Sequence, residues 1–176
     1  MMKTKRMVLL ALLVAMAATL HIVESWLPLP VPVPGAKLGL ANIISLLAIL
    51  MFGCKEAVYI AVARVLVGSL FGGSLLGPAF IMSMGGAISS IFVMGYFRQN
   101  YSQAFSLVGV SVAGAVTHNT AQILLAAALV DSAGLLWYLP YLLLFAIPTG
   151  LFTGLAANYL VAKSPAMFGF KIRNTD

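Results

Sequence analysis

Residues 104–130 read "AFSLVGVSVAGAVTHNTAQILLAAALV" and contain no Asp, Glu, Lys or Arg. A helix needs about 20 mostly apolar residues to cross a hydrocarbon core about 30 Å thick, so this run is long enough to span. Ser111, Gly114, His118 and Gln122 recur at spacings of three to four, with Asn119 beside them. They therefore share one helical face. Polar side chains at membrane depth persist only against protein, water or a ligand. The segment reads as a membrane helix with an inward polar stripe, and it sets the class of the whole chain.

Composition agrees. Of the 176 residues, 62% are hydrophobic and 8% charged, too few polar groups to cover a water-facing surface. Working outward from helix five, the chain divides into six apolar stretches: Met7 to Glu24, Leu38 to Phe52, Glu56 to Gly72, Leu76 to Phe97, Ala104 to Val130 and Leu135 to Ala162. None alternates as a barrel strand would, and lipid requires backbone groups satisfied within the segment. The expectation is an all-α integral membrane protein, a single domain over 1–176 with six transmembrane helices. The second stretch is short for a span, and Pro140 and Pro148 are kink positions in the sixth.

The net charge of +6 is topological. Lys3, Lys5, Arg6, Lys55, Arg98, Lys163, Lys171 and Arg173 fall on one side of the six-helix scheme, against Lys37, Glu24 and Asp131 on the other. The positive-inside rule then puts both termini in the cytoplasm. Trp26, Trp137 and Tyr138 form the outer aromatic belt, and Tyr96 and Tyr101 the inner one. The basic residues form no single patch, so no nucleic-acid partner is expected. The segment "KTKRMVLLALLVAMAA" has the layout of a signal peptide, but its apolar run continues to Val23, and the charge rule favours a retained helix. Cys54, the sole cysteine, allows no internal disulfide and reads as inert.

Arg64 lies mid-way along helix three, on a face with Ala57, Ala61, Gly68 and Gly72. That small-residue face packs closely, so Arg64 points inward. With no carboxylate expected inside the spans, its partners are backbone carbonyls or an acidic ligand. His118, Asn119 and Gln122 crowd one level of helix five, which favours a ligand cavity; one histidine without a second in reach makes no metal site. Ser83, Gly86 and Ser90 on helix four, and Gly150 and Gly154 on helix six, are packing signals. Ala11, Ala15 and Ala18 leave a smooth face on helix one where a partner helix can approach.

Taken together, "PGAKLGLANI" (34–43), Arg64, "FIMSMGGAISS" (80–90) and "GVSVAGAVTHNTAQ" (109–122) resemble the bacterial Gx transporter family, also labelled heptaprenyl diphosphate synthase component I. That family is similar to the substrate-binding S components of energy-coupling factor (ECF) transporters. The resemblance implies six helices, an outward-facing pocket for a small micronutrient, a first loop acting as a lid, and an alanine face on helix one for a T component with paired ATPases. The chain has no Walker motif, so energy would come from those partners. No cofactor is called for.

On this reading Pro28, Pro30, Pro32 and Pro34 stiffen the first loop, Gly35 lets it turn, and Lys37 is held over the pocket with Asn42 below. An acidic ligand group would be drawn by Lys37 and met deeper by Asn42, Arg64 and His118. The ligand-binding set is thus Lys37, Asn42, Arg64, His118, Asn119 and Gln122. The alternative is a non-catalytic membrane component that handles an isoprenoid, quinone or flavin precursor. Catalysis is not expected: prenyl diphosphate elongation needs aspartate clusters for magnesium, and the four acids Glu24, Glu56, Asp131 and Asp176 are scattered.

Overall fold

The computed structural model describes residues 3–26, 37 and 39–163. Pro28, Pro30, Pro32, Pro34, Gly35, Lys171 and Arg173, which carry part of the loop and charge readings, lie outside the described residues.

The described chain is all helical: α1 (Lys3–Trp26), α2 (Asn42–Phe52), α3 (Cys54–Phe71), α4 (Pro78–Asn100), α5 (Leu107–Val130) and α6 (Leu139–Lys163), with a 3-10 helix at Ala133–Tyr138 before α6. The ends follow from local chemistry. Ser106 caps α5, its hydroxyl accepting from the Gly109 N–H at 3.2 Å. Pro78 starts α4 at a position where a missing N–H costs nothing. Between α2 and α3 a single residue, Gly53, turns the chain with φ 100°, a conformation that glycine adopts without a Cβ clash.

Six α-helices are present among the described residues, as expected, and they differ in length and polarity. Four segments among the described residues are long and apolar enough to cross a membrane: Thr4–Trp26, Pro78–Asn100, Leu107–Val130 and Ala133–Lys163. Helix α2 has 11 residues, about 16 Å of rise. Helix α3 has 18 residues and includes Lys55, Glu56 and Arg64. The chain is a membrane protein built as a helical bundle, with a short, partly charged pair set among four long apolar helices.

Consecutive helices run up and down. A Cβ added at Gly85, early in α4, would meet Leu125 late in α5, whereas one at Gly114 would meet Met94. Glycines 150 and 154 of α6 press on the backbone of Val112 and Val108 in α5. Arg6 pairs with Glu56, so α1 and α3 start at the same end. This alternation gathers Arg6, Lys55, Arg98 and Lys163 at one end of the bundle and leaves Glu24, Lys37 and Asp131 toward the other. Helix α5 packs between α4 and α6, while α1 lies at the side against α3 and α2. Met7, Val8, Leu12, Met16 and Val23 of α1 face outward. The main core joins Ile44, Leu46, Ile60, Val65, Ile91 and Met94 from α2, α3 and α4.

Candidate functional site

The shortness of α2 creates the site. Its 11 residues end beside Cys54 and span about 16 Å, so Asn42, Leu40 and Gly39 at its other end lie at mid-bundle depth. Arg64 is ten residues into α3 and His118 eleven into α5, about 15–17 Å from the same end. Non-helical backbone at that depth is tolerated only when protein satisfies its polar groups. Here Glu24 does so: its carboxylate accepts from the N–H groups of Gly39 and Leu40. Gln122 Oε1 accepts from the Lys37 N–H at 3.2 Å.

Lys37 is itself buried, at 6% exposure, and its Nζ lies 2.6 Å from His21 Nε2. One turn below, Arg64 Nη2 donates to Asn42 Oδ1 at 3.2 Å, and both residues are buried. Glycines let these groups meet. A Cβ on Gly39 (φ 83°) would come within 2.8 Å of Asn42 Nδ2 and 3.3 Å of His118 Cδ2, and one on Gly86 would press on His118 and Gln122. His21 lies against Gly68 in the same way. The outcome is a closed polar layer drawn from five helices and the first loop.

Of the residues expected to bind ligand, Lys37, Asn42, Arg64, His118 and Gln122 come together in this layer. Asn119 does not. Its Nδ2 donates to the Leu142 carbonyl at 2.9 Å, tying α5 to α6. The α5 stripe divides further down, where Ser111 hydrogen-bonds Thr153 of α6 at 2.7 Å and Gly114 receives Met94 of α4. On helix one, Ala11 and Ala15 face outward, whereas Ala18 is buried in the bundle. Ala15 also lines a surface groove of about 380 Å³ with Met16, Thr19 and Leu20.

Two contributors escape the sequence reading: His21 and Glu24, both on α1 and both buried. Glu24 is placed by sequence at the outer boundary, and no carboxylate is expected inside the spans; the structure instead makes it an internal acceptor in the last turns of α1. The available signal is the pairing of two ionisable residues three apart on the face of Ala17, in a helix that is apolar from Met7 to Ala18 and carries no other ionisable group beyond Arg6.

A family model for heptaprenyl diphosphate synthase component I matches residues 13–160, most of the chain and every helix of the polar layer. Neither the curated proteins nor the solved structures contain a match.

Proposed function

We propose that this chain, which belongs to the heptaprenyl diphosphate synthase component I family, is the membrane-embedded substrate-binding subunit of a transporter for a small micronutrient, similar to ECF S components. The observation that carries the reading is the closed polar layer. Lys37, Asn42, Arg64, His118 and Gln122 bring hydrogen-bonding groups from a loop and three helices to one level of an otherwise apolar bundle. A bundle held only for stability gains little from such groups, because buried charges are costly and an apolar core packs as well. Lys37, Gly39 and Leu40 of the first loop are fastened to this layer by Glu24, Gln122 and His21, which suits a lid. Energy would come from a T component and ATPase subunits, with the outward Ala11 and Ala15 as part of the docking face.

The family name favours a second reading, in which the protein handles an isoprenoid, quinone or flavin precursor without catalysing its synthesis. We assign it no catalysis: Glu56 is engaged by Arg6 and Glu24 by loop amides, and among the described residues no carboxylates are grouped to hold magnesium on a diphosphate. Mass spectrometry of small molecules co-purified in mild detergent tests both readings. A water-soluble micronutrient, lost in Arg64→Met, is the expected result; a prenyl or quinone species would replace the first reading by the second.

The same proposal places the Arg6, Lys55, Arg98 and Lys163 end in the cytoplasm of a bacterial inner membrane. In a Cys54→Ser background, a cysteine at Asp131 should react with an impermeant reagent from outside and one at Arg98 only after permeabilisation. The reverse pattern would invert the topology.

A further inference from the structure

Resting on the proposed binding role, the arrangement of donors defines the chemistry of what is bound. Arg64 Nε, Asn42 Nδ2 and Gln122 Nε2 are fully buried and make no hydrogen bond within the described chain. The two amide orientations are fixed by their neighbours. Asn42 Oδ1 faces a guanidinium and Gln122 Oε1 a backbone N–H, neither of which can accept, so the remaining amide atom of each side chain is necessarily a donor.

These donors are neighbours. Gly39 lies against Asn42 Nδ2 and His118, and Gly86 lies against His118 and Gln122 Cγ, so the Asn42 and Gln122 side chains are both set beside one imidazole. The layer also holds two basic side chains, Arg64 and Lys37, against one carboxylate. Glu24 forms no ion pair with either of them among the described residues, and its Oε1 is engaged by the Gly39 and Leu40 N–H groups. The two ring nitrogens of His118 are buried without a partner as well, and a neutral imidazole offers one acceptor, so donors and positive charge still outnumber acceptors in the layer.

We infer that the ligand enters this layer with a carboxylate or phosphate group, which sits beside Gly39 and accepts from Asn42 Nδ2, Gln122 Nε2 and Arg64. A neutral ligand rich in carbonyls would satisfy the amides but leave two basic side chains to share the one carboxylate of Glu24. An anion satisfies both needs, and charge-assisted hydrogen bonds are about twice as strong as neutral ones. A Cβ at Gly39 or Gly86 would press on the Asn42, His118 and Gln122 side chains that form this site.

The test supplies the missing acceptor from within. Asn42→Asp puts a carboxylate beside Arg64 and reverses the Nδ2 donor. The variant should unfold at least about 3 °C above wild type in detergent, because the buried guanidinium gains its counter-ion. Sodium phosphate and sodium acetate are the probes, each compared with sodium chloride at equal ionic strength. Wild type should be stabilised beyond chloride by at least one of them: phosphate points to a phosphate ester and acetate to a carboxylic acid. Asn42→Asp and Asn42→Leu should both lose that response. An Asn42→Asp protein less stable than wild type, or a wild type that answers neither anion beyond chloride, overturns the inference. Co-purification of an uncharged molecule also overturns it while leaving the binding role standing. An anion response with no retained small molecule would do the opposite.

Discussion

At the residue scale, Gln122 is the group whose behaviour is most open to measurement. Its Oε1 accepts from the Lys37 N–H at 3.2 Å, and removing that acceptor would leave a buried donor unsatisfied. We expect Gln122→Leu to lower the unfolding midpoint in detergent, by the equivalent of about 1–3 kcal/mol. An unchanged midpoint would show that the Lys37 N–H does not depend on Gln122. How legible these residues were depended on their surroundings. Arg64, His118 and Gln122 stand out because they interrupt apolar helices at mid-depth, and the structure joins them. His21 and Glu24 sit near the end of α1, where a polar residue is ordinarily at the membrane boundary. Their burial comes from the loop that folds back against them, a non-local contact that the α1 sequence does not encode.

At the element scale, helix faces made of small residues decide how closely the bundle closes. A Cβ on Gly150 or Gly154 would stand 2.6 Å from the Cα of Val112 or Val108, against backbone that cannot yield as a side chain can. Gly150→Ala and Gly154→Ala should each cost about 1–3 kcal/mol by forcing α5 and α6 apart. Gly134→Ala meets only the Ser132 hydroxyl at 3.5 Å and should stay within about 0.5 kcal/mol of wild type. Thermal unfolding of the three variants in one detergent checks the ranking, and equal losses would refute it. The glycine spacing of α6 was readable as a packing face because a three-to-four repeat is a property of the helix itself. The length of α2 was less so: the apolar run begins at Leu38, but Glu24 and Gln122 hold the N–H groups of Lys37, Gly39 and Leu40 outside any helix.

For the whole molecule, the alternation of apolar stretches and the one-sided cations were sufficient to give six helices and their directions. They were not sufficient to give the number that can cross a membrane unaided, because the count depends on how charge is shared among packed helices. Helix α3, with Lys55, Glu56 and Arg64, bears on the order in which the protein is made. An arginine at the centre of a helix opposes its entry into a bilayer by about 2.5–3.5 kcal/mol, so α3 should be rejected if it meets lipid alone. The Asn42 carbonyl that receives Arg64 is nearby in sequence, across the one-residue corner at Gly53. Helices α2 and α3 should therefore pass from ribosome to membrane as a hairpin, with α1 already in place to receive them. In a translocon insertion assay, α3 alone should insert poorly, α3 with Arg64→Leu should insert well, and the native segment should recover when α1 and α2 precede it. Efficient insertion of α3 by itself would mean that its biogenesis does not wait for its neighbours.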